Sequence, residues 1–108
     1  MLEPEPRPTT ILQRAAEKAW LEVIRATDQF LDRNGAGTPE PRLGNPQRRE
    51  SLRRLGHGDI ADEFTILESR LFSECFLYGE CDNLDHTLDR AEKYVADLKA
   101  TRPASSSG

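Results

Sequence analysis

Apolar residues recur at three- and four-residue steps through two adjacent stretches in the second half of the chain. Ile60, Phe64, Leu67, Leu71 and Cys75 lead up to Tyr78-Gly79, and Leu84, Leu88, Ala91, Val95 and Leu98 follow. Stripes of this kind belong to helices that bury one face and need a partner surface. The spacing therefore predicts two long antiparallel helices joined by one turn. A third stripe lies earlier, at Leu12, Ala16, Ala19, Trp20, Val23, Ile24, Phe30 and Leu31. It predicts a helix of roughly 40 Å running from Thr10 to about Asn34. Thr10 and Gln13 have the spacing of a capping box, and Gly35 supplies a left-handed stop.

Three glycines and two prolines between Gly35 and Asn45 predict an irregular loop. Asn45-Pro46 then reads as a cap followed by the first residue of a short helix, which reaches Leu55 before Gly56 and Gly58 break it. Leu52 and Leu55 are its expected core contacts. Asp59 is expected to cap the third helix, and Asp82 or Asn83 the fourth. Asp85 and Asp89 lie early in that last helix, Lys93 and Lys99 late, as the helix dipole favours. No segment alternates with the period of a strand. The reading is all-α, with three long helices and one short one. A single domain is expected over residues 10–101, between a proline-rich disordered arm (1–9) and a flexible tail (102–108) that Pro103 separates from the last helix.

Composition changes this picture little. Of 108 residues, 36% are apolar and 31% charged, proportions a bundle tolerates because each helix gives most of its surface to water. The formal charge is −4, which excludes a generally basic nucleic-acid binder. The segment from Arg42 to His57 is the exception, with five arginines against one glutamate. No stretch has the length and apolarity of a membrane span, and the N-terminus lacks signal-peptide features, so a cytoplasmic protein is expected. In a reducing compartment Cys75 and Cys81 are expected as free thiols, although a disulfide across the turn is conceivable. Their spacing does not suit zinc, and no cofactor or metal is expected.

Arg48, Arg49, Arg53 and Arg54 spread over half of the short helix, and guanidinium forks suit phosphate oxygens. No aromatic residue is interleaved to stack on bases, so a solvated face balanced by acidic neighbours on helices three and four is the favoured reading, with phosphate or RNA contact as the alternative. His57, beside this cluster, could in principle take a proton from a 2′-hydroxyl, but glycines on both sides predict a mobile, exposed residue. His86 is expected to be exposed among Asp82, Asp85, Asp89 and Arg90, and not to bind metal. Trp20 belongs to a core. Phe72, Phe76 and Tyr78 lie off the main line of the third helix, so they are candidates for a homodimer interface.

Ala16-Glu17-Lys18-Ala19-Trp20 with Phe30-Leu31 and Gly35 resembles the opening helix of small HEPN-like proteins, nearest the PaREP-type members. Leu67-Glu68, Phe72, Phe76 and Tyr78-Gly79-Glu80 resemble the end of that family's third helix. The resemblance covers roughly residues 10–100 and implies an up-and-down four-helix bundle that commonly dimerises. It also implies ribonucleases, often in toxin–antitoxin systems beside a nucleotidyltransferase, or inactive relatives that bind nucleic acid or nucleotides. The nuclease members place four to six residues between an arginine and a histidine. Here Arg53 leaves three before His57, Arg54 two, Arg49 seven and Arg48 eight, so no catalytic residue carries over. The expected function is a non-catalytic, dimeric module that binds a protein partner, or a nucleotide or RNA phosphate through Arg48, Arg49, Arg53, Arg54 and His57. A degenerate ribonuclease using Arg53 or Arg49 with His57 is one alternative, and a purely structural subunit another.

Overall fold

The computed structural model describes residues 8–36 and 44–101, and within these the chain is helical with no strand. Helix α1 spans Pro8–Arg33, α2 Gly44–Arg54, α3 Gly58–Leu67 and α4 Leu84–Ala100. Between α3 and α4 the chain continues without a break as a π-helix, Glu68–Leu77. The arm at residues 1–7, most of the glycine- and proline-rich loop (37–43) and the tail from 102 lie outside the described residues.

α1 starts two residues before the predicted capping box, and Gln13 is used elsewhere: its Nε2 donates to the Phe76 carbonyl at 2.9 Å. The C-terminus of α1 follows the glycine signal. Gly35 adopts φ 76°, Gly35 N–H donates to the Asp32 carbonyl and Ala36 N–H to Leu31, the paired bonds of a Schellman stop. Gly56 (φ 87°) ends α2 in the same way, with its N–H on Arg53 and that of His57 on Leu52. His57 is thus the last residue of one stop and the N-cap of α3, the position predicted for Asp59, which instead lies inside the first turn. Asn83 caps α4 as predicted, but in a left-handed conformation (φ 56°, ψ 33°) and without a side-chain bond to the helix.

The second long helix differs from the expectation in kind. A π-helix bonds residue i to i+5, widening the turn. Its stop is correspondingly one residue longer: Gly79 N–H donates to Cys75 and Glu80 N–H to Glu74. Four-residue spacings drift steadily around a helix of 3.6 residues per turn, and the wider turn changes that drift. The wider turn seats Leu71 and Cys75 in the core while Phe72 and Phe76 stack beside them at 5.8 Å. The cysteines are not free. Cys75 and Cys81 form a disulfide that ties the last π turn to the approach to α4. The turn brings their Cα atoms to 4.4 Å, within the range a disulfide spans.

Helix directions follow from the registers. Gln13 meets Phe76, Trp20 packs on Phe64 and Phe72, and Phe30 meets His57, so α1 is antiparallel to the α3–π helix. Along α4, Ala15 and Lys18 face Leu88, while Glu22 and Gln29 lie near Val95 and Lys99. Arg33 Nη2 reaches the Leu98 carbonyl. α1 and α4 therefore run in the same direction, contrary to an up-and-down four-helix layout. The reason lies in α2. Its 11 residues span about 16 Å against about 39 Å for α1, and it buries only Gly44, Arg48 and Leu52. It packs antiparallel on α3 across one end, leaving three long helices to form the body.

One contiguous core results, built on Trp20, Phe30, Phe64, Leu67, Leu71 and Leu98 with smaller neighbours. One line of buried positions in α1 (Ala16, Trp20, Val23, Thr27, Phe30), with Ala26 and Leu31 buried beside it, and the buried positions of α4 (Leu84, Thr87, Ala91, Tyr94, Leu98) alternate steps of three and four, the period that keeps two helices in contact over many turns. α4 is rotated from the predicted face, so Leu88 and Val95 are half-buried while Thr87 and Tyr94 are inside. Thr27 explains the rotation: its hydroxyl donates to the Val23 carbonyl (2.7 Å) and accepts from the Tyr94 hydroxyl (2.7 Å). Leu12, expected in the core, is exposed at the end of the bundle.

Two outcomes check this architecture. Thiol titration of the unreduced protein should find no reactive cysteine, and reduction should lower unfolding stability by about 2 kcal/mol, from the chain entropy of the small loop. Burial pushes the Tyr94 phenol well above its ordinary value. The unfolded chain releases that proton above about pH 10 and the folded protein holds it. Its contribution is therefore intact below pH 10 and declines at higher pH. Tyr94→Phe should be less stable at neutral pH, by about 1 kcal/mol for the lost hydrogen bond, yet lose less stability between pH 10 and 11 in denaturant titrations.

Candidate functional site

The four arginines of α2 do not form a common phosphate cradle. Arg48 is 5% exposed and grips Asp28 of α1 with both ends of its fork, Nε on Oδ1 at 2.6 Å and Nη2 on Oδ2 at 2.8 Å. Its Nη1 donates to Asn45 Oδ1, so the asparagine oxygen expected at the helix cap holds a side chain instead. A Cβ at Gly44 would fall inside the guanidinium envelope; glycine there is what makes room. Asn45 Nδ2 and Arg49 Nη1 share the two oxygens of Glu68, at 2.8 and 2.6 Å. The result is one continuous chain, Asp28–Arg48–Asn45–Glu68–Arg49, joining α1, α2 and the start of the π-helix. Every buried side-chain polar atom among the described residues is satisfied.

Arg53 and Arg54 are peripheral. Arg53 lies 3.5 Å from Asp62 and Arg54 2.7 Å from Glu50, both exposed pairs that contribute at most about 1 kcal/mol. The acidic partners come from α1, α3, the π-helix and α2 itself, none of them from α4; Arg53 and Arg54 form a solvated, balanced face, whereas Arg48 is buried. His57 is not a mobile loop residue: its backbone is fixed by two helix ends, and its ring meets the edge of Phe30 at 5.2 Å.

The predicted interface residues separate into two groups. Phe72 packs against Trp20 (6.3 Å) and stacks with Phe76, both half-buried. Tyr78 is 76% exposed at the end of the bundle. Leu77, Ile11 and Leu12 are exposed as well, and the Gln13–Phe76 hydrogen bond places both segments at that same end.

A groove between the α3–π helix and α4 has little signature in the sequence. At one end Ile60, Tyr94 and Leu98 line a cleft of about 320 Å³ with Asp59, Glu63, Lys93 and Asp97 at its edges. At the other, Arg70, Asn83, His86, Thr87 and Arg90 line a second of about 390 Å³. Arg90 belongs to both, and its Nε and Nη2 donate to the two oxygens of Glu63. That hydrogen bonding raises the Arg90 pKa. The only sequence signal was His86 and Arg90 four residues apart, on one helix face. Arg70 joins them through the antiparallel register alone. Among the described residues no group of three or more His, Cys, Asp or Glu side chains could hold a metal ion, and no helix is long and apolar enough to cross a membrane. No family model, curated protein or solved structure matches the chain.

The α2 network makes a direct prediction. Asp28→Ala leaves the Arg48 charge buried and unpaired and should cost about 3–5 kcal/mol in denaturant unfolding, whereas Arg54→Ala should change stability by less than about 0.5 kcal/mol.

Proposed function

We propose that this chain is a non-enzymatic helical interaction module that forms a homodimer and engages a protein partner through the apolar end of its bundle. The observation that carries the reading is the exposure of Ile11, Leu12, Leu77 and Tyr78, on two segments that the Gln13–Phe76 hydrogen bond holds at one end. Large apolar side chains in contact with water are stabilised by covering them, at roughly 25 cal/mol per Å², and patches of this kind mark association surfaces.

The alternatives lose support from the same geometry. Phosphate or RNA binding through α2 would require Arg48 and Arg49 to release Asp28 and Glu68. A ribonuclease would need His57 free beside Arg49 or Arg53, whereas its ring packs on Phe30 and Arg49 is held by Glu68. HEPN-like membership rests on the motifs at 16–35 and 67–80, and the parallel course of α1 and α4 counts against it. A nucleotidyltransferase partner or a toxin–antitoxin role follows from that resemblance alone. A cytoplasmic setting loses the argument from free thiols, because the Cys75–Cys81 bridge fits an oxidising compartment better.

Light scattering should give a mass near twice the 12.2 kDa chain, and Leu77→Asp with Tyr78→Asp should give the monomer with unchanged helical circular dichroism. A wild-type protein that stays monomeric across micromolar to millimolar concentration overturns the dimer. Salt-dependent RNA binding lost in Arg53→Gln/Arg54→Gln would restore the phosphate reading.

A further inference from the structure

The groove along α4 holds the uncommitted charge that α2 lacks. We infer that its basic end, walled by Arg70, His86, Arg90 and Asn83, is a binding site for a phosphomonoester or inorganic phosphate dianion.

Arg70 projects from the π-helix with no ion pair or hydrogen bond to any described residue. It faces His86 and Arg90, which lie one turn apart on α4. The two carboxylate bonds that occupy Arg90 Nε and Nη2 hold its guanidinium in place and leave Nη1 free. A cation fixed before binding loses less side-chain freedom when the anion arrives. No carboxylate lines this cleft itself; Asp85 lies in the adjoining one with Asn83 and His86. Asn83, at a left-handed position that favours asparagine or glycine, makes no capping bond, so its amide is available to the ligand. Two guanidinium groups, an imidazole and an amide around a cleft of about 390 Å³ suit a tetrahedral oxyanion, which accepts paired donors. A second cleft shares Arg90 and is lined by Ile60, Tyr94 and Leu98 with Asp59, Glu63, Lys93 and Asp97 at its edges; its apolar floor gives an organic phosphate somewhere to place its apolar part.

The test is titration of the full chain with inorganic phosphate and with uridine 5′-monophosphate at constant ionic strength, following the His86 ring signals by NMR. Saturable shifts are expected with both, and Arg70→Gln should weaken binding about tenfold. Arg54→Gln, on the exposed face of α2, should leave it unchanged. Equal affinity for the two ligands supports a site for the phosphate group alone; tighter binding of the nucleotide supports use of the whole groove. No saturable shift up to about 50 mM phosphate, or an Arg70→Gln protein that binds like wild type, overturns the site. Light scattering on Arg70→Gln keeps this test separate from the dimer: Leu12 adjoins Asn83 and His86, but Arg70 lies outside that shared cleft.

Discussion

The apolar stripe of α1 runs between two partners, α4 on one side and the α3–π helix on the other, and it must meet both over most of its length. Trp20 and Phe30 fill the space between helices, and Ala16, Val23 and Ala26 allow close approach. Because the stripe keeps an alternating three–four period, α4 can follow it in parallel with a matching period of its own. The hydrogen bond from Tyr94 to Thr27 fixes the rotation of that pairing. It is a polar contact inside an apolar seam, where an unmatched hydroxyl would cost more than the bond returns.

Charge is arranged around this body in two ways. At the α2 end, carboxylates from other elements neutralise Arg48 and Arg49, and Gly44 gives Arg48 room to turn inward. A buried ion pair of this type adds modestly to stability but strongly punishes removal of one partner, so it fixes where α2 sits. In the α4 groove the balance differs. Glu63 orients Arg90 without neutralising Arg70, and an unpaired guanidinium remains in the cleft. The residues with the most basic local sequence are thus structural, while the functional candidate lies in a stretch whose sequence is rich in aspartate.

The π-helix links these features. It carries Glu68 of the α2 network, Phe72 and Phe76 beside Trp20, Arg70 of the cleft on α4, and Cys75 of the disulfide. π-helical turns are uncommon and often mark functional positions, and the anion cleft beside Arg70 is consistent with that tendency.

Hydrophobic period and glycine punctuation in the sequence determined the helices, their approximate ends at Gly35, Gly56 and Gly79, and most of the core, because these depend on local backbone preference and on spacing along one helix. Tertiary structure alone decided the parallel course of α1 and α4, the burial of Thr27, Tyr94 and Arg48, the disulfide, and the meeting of Arg70 with His86 and Arg90. Each of these depends on which faces of separate helices meet and in what register, and residues far apart in the chain carry no local signal of that choice.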